Sequence, residues 1–357
     1  MNHRHVLVTG GAGFVGSRLC VRLRETWPDL EVTALDNLVR RGSEFNLRAL
    51  QTRGVRFVHG DIRCPEDLAG LPRFDLLIEC SAEPSVHAGQ HGSPVGVIHN
   101  NLLGALHCLE AARHNEAAVL FLSTSRVYPI DRLRALRCTE GATRLQLEPE
   151  QEVPGCSRRG IAEDFPLDGA RSFYGMTKLG GEELIREYVF SYGMRAIINR
   201  CGVLAGPGQM GKVDQGVVTL WAARHIYGRP LQYIGFGGSG KQVRDILHVD
   251  DLFALVRRQI ETPAIWDGRI YNVGGGTGSS ASLLELTTIC RELVGREVEI
   301  TAKPTTARVD VPLYETDHGK VSAELGWSPQ RTVRETMADI VSWIRDNQDE
   351  LRPILDA

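Results

Sequence analysis

Residues 5–20 read HVLVTGGAGFVGSRLC, and this stretch decides the fold. His5–Thr9 is a short, apolar, β-branched run, the pattern of a buried strand. Gly10, Gly13 and Gly16 follow at a spacing of three, and Phe14, Val15, Leu19 and Leu23 then recur with helical period. Strand, glycine turn and helix in that order predict a dinucleotide-binding turn. Gly10 permits the tight turn, Gly13 lets backbone N–H groups approach a pyrophosphate, and Gly16 lets the helix lie close to the strand. The helix N-terminus, with Phe14 and Val15 in its first turn, adds partial positive charge for the phosphates.

Glycine-rich turns are common, so a second signal matters. The strand Glu31–Leu35 ends in Asp36, twenty residues beyond Gly16. A carboxylate there accepts hydrogen bonds from an adenosine ribose and repels a 2′-phosphate, which favours NAD over NADP. Arg40 and Arg41 follow closely and work against that preference.

Bulk properties set outer bounds. A chain of 357 residues is too long for one compact α/β layer. The net charge of −3 provides no electrostatic footprint for nucleic acid or a membrane surface. No apolar run reaches the roughly 18 residues of a membrane helix. The start, MNHRHVLV, runs directly into a strand, so no signal peptide is expected. The eight cysteines form no Cys-x-x-Cys pair and most lie in apolar runs, which predicts reduced thiols in a cytoplasmic protein. His87 and His91 have a helical ligand spacing but sit in a Gly/Pro-rich loop without a third ligand, so no metal is expected.

Strands and helices alternate along the first half. Val55–Val58 predicts a third strand, and Gly60-Asp61-Ile62 after it brings Asp61 and the Ile62 backbone toward an adenine. Asp75–Glu79 predicts a fourth strand, followed by the loop Ser81-Ala82-Glu83-Pro84-Ser85 at its carboxyl end, where ligands bind in open parallel sheets. Val95–Arg113 reads as a helix, and Ala118–Ser123 as a fifth strand running into Thr124 and Ser125. The repeating order implies an α/β, doubly wound parallel Rossmann sheet. Residues 129–165 break the pattern; a polar stretch of that length reads as a lid or a disordered segment, with a strand or hairpin over Thr143–Glu148. The alternation resumes with a helix at Ser172–Tyr192 and a strand at Arg195–Asn199. We expect residues 1–200 to form the nucleotide-binding domain. Residues 201–357 should form mainly a smaller substrate-binding lobe, with a return to the sheet near 243–273.

Tyr174-Gly175-Met176-Thr177-Lys178 lies at the start of a predicted helix, and a spacing of four puts Tyr174 and Lys178 on one face. A free tyrosine titrates near about 10. An adjacent ammonium stabilises the phenolate, so that Tyr174 can take a proton from a sugar hydroxyl while a hydride leaves the same carbon. Lys178 is also placed to hold the nicotinamide ribose, and Thr124 to hydrogen-bond the reacting hydroxyl. Tyr-x-x-x-Lys alone occurs by chance on many solvated helices. It gains force after a glycine turn, an Asp at +20 and a strand ending Ser-Thr-Ser.

With these residues in place the chain resembles the extended short-chain dehydrogenase/reductases. The resemblance extends to residues 243–251, VRDILHVDD, and 325–329, LGWSP. Members act on nucleotide-diphosphate sugars as epimerases, dehydratases and decarboxylases. Residues 37–44 (NLVRRGSE), 209–216 (QMGKVDQG) and 240–245 (GKQVRD) are most similar to the CDP-paratose 2-epimerase, or CDP-tyvelose epimerase, group. The resemblance implies NAD contacts from Gly10, Gly13, Phe14, Val15, Gly16, Asp36, Asn37, Asp61, Ile62, Asn101, Tyr174 and Lys178. It implies a diphosphate grip by Arg244 and Arg308, whose guanidinium groups match phosphate oxygens bidentately. Glu83, Ser85, Thr124, Ser125, Arg126, Gln209, Gln215 and Gln242 complete the substrate contacts it implies. It also implies a homodimer, paired through Val95–Arg113 and Ser172–Tyr192.

The chain departs from the family at three places. Dehydratases of the family resemble one another in an Asp-Glu pair directly after the catalytic threonine; here Ser125 and Arg126 stand there. Cys201-Gly202-Val203 follows Arg200, where many members carry an asparagine, and Ser81-Ala82-Glu83 replaces the commoner Ala-Ala-x. The sequence therefore points to epimerisation through a transient keto sugar, at C2 by resemblance. Inversion at C4, or net oxidation or reduction, of another nucleotide sugar stands as the alternative, and a non-catalytic NAD-binding regulator as a third reading.

Overall fold

The computed structural model describes residues 3–211 and 215–356. The chain divides into two units of similar length, each assembled from three segments: Met1–Val127, Ser172–Arg200 and Phe253–Tyr271 in one, Tyr128–Arg171, Cys201–Leu252 and Asn272–Ala357 in the other. The division is interleaved and does not fall at a single point near residue 200.

The first unit is built on a seven-stranded sheet. Its strands are β1 (His5–Thr9), β2 (Glu31–Asp36), β3 (Arg56–His59), β4 (Leu76–Glu79), β5 (Ala118–Thr124), β6 (Ala196–Cys201) and β7 (Asp267–Val273), in the order β7-β6-β5-β4-β1-β2-β3. The pairings β3–β2, β2–β1, β1–β4 and β4–β5 are all parallel. The order reverses between β1 and β4, which makes the crevice at their carboxyl ends the switch point where nucleotides bind. β1, β4, β5 and β6 are buried along their whole length, which is why their central residues are mainly apolar. Leu7, Leu77, Val119, Phe121, Ile185 and Ile198 belong to the core beside them.

Three helices position the site. α1 (Phe14–Thr26) follows the glycine turn. The predicted helix over Val95–Arg113 is real but not regular: Val95–Ile98 is α-helical, His99–Leu103 is a π turn, and α2 (Gly104–His114) continues from it. α3 (Phe173–Tyr192) begins at Ser172, whose hydroxyl accepts the Gly175 N–H at 3.1 Å, and ends at Gly193 in the left-handed region at φ 65°.

In the second unit Val203–Ala205 pairs with Val243–His248, which also pairs with Ser280–Ser282 and Leu313–Tyr314. Of the expected return to the sheet near 243–273, only β7 joins the seven strands; Val243–His248 belongs to this separate sheet. The stretch 129–165 is folded. It carries a hairpin (Cys138–Glu140 with Leu145–Leu147) and a second short one (Cys156–Ser157 with Gly160–Ile161). Ile161 and Phe165 are fully buried, and the Tyr128 hydroxyl donates to Asn272 Oδ1 at 2.8 Å. Arg144 pairs with Glu285, and Ser282 donates to the Thr143 carbonyl. A few buried apolar side chains and many charged anchors hold this segment, which is why its composition reads as loop. Lys212, Val213 and Asp214, part of the stretch 209–216 used for the resemblance, lie outside the described residues.

Candidate active site

The glycine turn closes on itself. Gly10 has φ 63°, and a Cβ there would stand 2.9 Å from the Cys80 backbone. Gly13 caps α1 and has no side chain to hydrogen-bond the N–H groups of the first turn. At Gly16 a Cβ would lie 2.2 Å from the Gly10 carbonyl oxygen. Asp36 Oδ2 accepts the Ala12 N–H at 3.1 Å and Oδ1 accepts the Leu38 N–H at 2.8 Å, so the carboxylate locks the turn from the end of β2. These features fit a dinucleotide: a cradle without side chains, an uncapped helix N-terminus and a fixed carboxylate.

Asp61 and Asn37 meet directly, with Asn37 Nδ2 donating to Asp61 Oδ2 at 2.9 Å. The Arg63 guanidinium, followed by that amide, holds the Asp61 carboxyl well below the usual carboxylate range. The Ile62 carbonyl accepts from the His107 ring at 2.8 Å, which fixes the backbone of this turn. Asn101 is buried and spends its amide inside the protein. Its Oδ1 accepts the Glu83 N–H at 2.7 Å, and its Nδ2 donates to the Glu83 carbonyl at 3.0 Å and to Thr177 Oγ1 at 3.3 Å. It clamps the loop after β4 to α3. Within that loop, Glu83 Oε1 accepts the Ser85 N–H and Ser85 Oγ the His87 N–H, so both side chains shape the turn.

Thr124 ends β5, nearly buried, with its hydroxyl accepting the Arg126 N–H at 3.2 Å. The turn Ser125–Val127 packs on α3, the helix that carries Tyr174 and Lys178. Ser123 Oγ donates to Glu182 of α3, and Glu182 receives a bidentate contact from Arg200 on β6. The strand ends bearing Thr124 and the helix bearing Tyr174 are thus cross-braced by a buried network. Lys178 is 3% exposed and donates to Glu79 Oε2, at the end of β4, at 3.1 Å. Glu79 was not among the residues expected from sequence. The available signal was a carboxylate closing the apolar run LLIE, since a buried strand rarely holds an unpaired charge.

The residues expected to hold the substrate's diphosphate lie in the second unit. Arg244 is engaged there: its guanidinium donates to Asp310 Oδ1 and to the Val311 carbonyl, each at 2.6 Å. Arg308 is exposed on the same short segment, which Arg134 also pins by donating to the Ala307 and Asp310 carbonyls. Gln209 donates to the Leu204 carbonyl and accepts from Thr219, so it fixes its own loop. Gln242 Nε2 donates to the Ile234 carbonyl, leaving its buried Oε1 without a hydrogen-bond partner among the described residues. Gln215 is half-buried at the start of the turn before Val217–Tyr227.

Comparison with known proteins gives the family. The model of the NAD dependent epimerase/dehydratase family matches residues 6–274. The chain is 31% identical to a dTDP-glucose 4,6-dehydratase of Mycobacterium tuberculosis, over 99% of this chain and 96% of the relative. It is 28% identical to the CDP-paratose 2-epimerase of Salmonella typhi, over 95% and 98%. Among solved structures, a double mutant of the dTDP-glucose 4,6-dehydratase of Streptomyces venezuelae, crystallised with NAD, superposes with a TM-score of 0.78 at 28% identity, over 98% of this chain and 99% of that one.

Proposed function

Because the chain belongs to the NAD dependent epimerase/dehydratase family, we propose that it epimerises a nucleotide-diphosphate sugar, at C2 of a CDP-hexose of the paratose/tyvelose type. The observation that carries epimerisation over dehydration is the pair after Thr124. Eliminating water from a keto sugar needs a base for the C–H proton and an acid for the leaving hydroxyl. Ser125 offers neither at neutral pH, and Arg126 stays protonated. The choice of C2 and of a cytidine nucleotide rests on the stretches 37–44, 209–216 and 240–245 and on the similarity to the Salmonella protein. The second reading is inversion at C4. The similarity to the UDP-glucose 4-epimerase of Thermus thermophilus, at 28% identity and a TM-score of 0.75, supports it.

A C–H beside a plain hydroxyl is too weakly acidic to be deprotonated directly. Bound NAD supplies a hydride acceptor and donor, so the carbon can pass through a ketone and back. In this reading Thr124 orients the hydroxyl, Tyr174 removes its proton and later returns it, and Lys178 stabilises the phenolate between the two events. Inversion requires the ketone to present its other face before the hydride returns. Asp36 receives the adenosine ribose hydroxyls, and Arg244 and Arg308 take the diphosphate. The helix pair of the first unit also suits a second copy of the chain: Phe190 is 88% and Val95 66% exposed, and Leu103 lies on the same pair. Eight cysteines, none of them in a disulfide among the described residues, suit the cytoplasm.

The test is NMR of the purified protein with CDP-, UDP- and GDP-sugars in D2O. Inversion at C2 without solvent deuterium at that carbon is the expected result. Inversion only at C4 replaces the first reading with the second. Loss of the C6 hydroxyl would show that dehydration proceeds without the missing pair.

A further inference from the structure

We propose that Glu79 is a positioning residue of this site, the counter-ion that keeps the buried Lys178 an ammonium and holds it beside Tyr174. The inference rests on the reading above, in which Lys178 works as a cation. Glu79 Oε2 and Lys178 Nζ are 3.1 Å apart and each side chain is 3% exposed, so water does not screen or replace the contact. A lysine buried without a partner loses its proton readily, with documented values down to about 5–6. A neutral amine at position 178 would stabilise no phenolate.

Among the groups facing Lys178, Glu79 contributes most toward keeping it charged. β5 presents the Phe121 ring, whose centroid is 4.4 Å from Nζ; its face attracts a cation but carries no net charge. Cys80 adjoins Glu79 at the end of β4, and Cys108 faces the pair from α2. Burial, with Glu79 nearby, pushes the Cys108 thiol far up, so it stays neutral. Tyr174 lies one turn earlier on α3 and is the group to be tuned. Burial, the largest single effect, drives Lys178 down; the Glu79 charge and hydrogen bond, with smaller contributions from Tyr174 and Cys80, together outweigh it, so Lys178 sits above the ordinary lysine range. Burial also raises Glu79 against the pull of Lys178, and the proton rests on the lysine because only that arrangement gives both groups a charge partner.

Two measurements test this, and neither needs a sugar. In the NAD-loaded protein, ultraviolet difference titration against Tyr174→Phe isolates the ionisation of Tyr174. Glu79→Gln should raise its midpoint by at least about one pH unit, to within about half a unit of Lys178→Met, because an opposite charge at this range is worth about one to three units. Glu79→Asp should restore the wild-type midpoint. An unchanged or lower midpoint in Glu79→Gln overturns the proposal. The second measurement is a thermal-melting cycle. Glu79→Gln should lose several degrees by stranding a buried cation, and adding Lys178→Met should recover most of the loss. Additive losses overturn the proposal. Should Glu79→Gln alone not fold, a folded double variant upholds the proposal and an unfolded one overturns it. If Lys178→Met leaves the Tyr174 midpoint where it was, the Tyr174–Lys178 mechanism fails, and the melting cycle still decides whether Glu79 serves Lys178.

Discussion

Arg200 Nη2 lies 2.7 Å from Glu182 Oε2, and neither side chain is more than 1% exposed. The same carboxylate accepts from Ser123, the residue before Thr124, and sits one helical turn beyond Lys178. Breaking such a pair leaves an uncompensated buried charge, which costs about 3–5 kcal/mol. Glu182→Gln should lower the urea-unfolding free energy by that order, whereas replacing Arg200 and Glu182 together with Met and Leu should cost less. Equal losses in the single and double variants would remove the charge pair as the cause.

Tyr174→Phe deletes one hydroxyl at a half-buried position on a helix capped elsewhere by Ser172. Turnover should fall by about a hundred- to ten-thousandfold, the range for a positioned acid–base group, with the melting temperature unchanged. Retained turnover would rule out Tyr174 as the proton carrier.

The nucleotide cradle discriminates between two of its glycines. At Gly16 an added methyl meets the Gly10 carbonyl oxygen at 2.2 Å, while at Gly13 the nearest atom is that same oxygen at 3.1 Å. Gly16→Ala must shift the backbone turn; Gly13→Ala needs only a small adjustment of the protein itself but puts a methyl where the pyrophosphate would approach. Both should weaken NAD binding in calorimetry by at least about tenfold. Only Gly16→Ala should also lower the melting temperature. A stable Gly16→Ala protein with native NAD affinity would contradict the packing described here.

Asp245 offers a pH signature in the second unit. It is fully buried, and burial, opposed by hydrogen bonds from Thr316 and Gly276, pushes its carboxyl up to about 6. A raised acid binds its proton more tightly in the folded state, so its contribution is fully present below the unfolded value of about 4 and is lost as pH rises through about 6. The loss is of order 2–3 kcal/mol at about 1.4 kcal/mol per unit. Asp245→Asn should therefore flatten the fall in stability between pH 4 and 7, read by chemical unfolding at each pH. A variant whose stability falls as steeply as the wild type would show that Asp245 is ionised throughout.

What the sequence reveals about this protein is what short-range pattern can encode. The strand, glycine turn and helix of residues 5–26 are legible because period and spacing are local, and so is Tyr174 four residues before Lys178. Glu79 escapes notice because its partner lies 99 residues away and nothing in LLIE specifies it. The π turn at His99–Leu103 inserts one residue into a single turn, too short an interruption to stand out from the apolar pattern around it, yet it lies where Asn101 reaches both Glu83 and Thr177. Residues 129–165 look loose because Ile161 and Phe165 are buried by residues far away in sequence; Ile161 bridges to Thr316.

The two arginines of the proposed diphosphate site are held differently. Arg244 is tied to Asp310 and to the Val311 carbonyl, while Arg308 is exposed two residues before Asp310. If Arg308 makes the phosphate contact and Arg244 with Asp310 shapes the segment that presents it, the two should fail differently. A charge-assisted contact to phosphate is worth about 1.5–3 kcal/mol, or about ten- to a hundredfold in affinity. Arg308→Ala should raise KM for the nucleotide sugar by that factor, leave kcat within about twofold and leave unfolding unchanged. Asp310→Ala strands the half-buried Arg244 and loosens the segment, so it should raise KM and lower the melting temperature together. Inorganic pyrophosphate, as a competitive inhibitor, should lose potency in both variants. Undiminished inhibition of Arg308→Ala would move the diphosphate away from this segment, and Arg244 would then be a structural cation only.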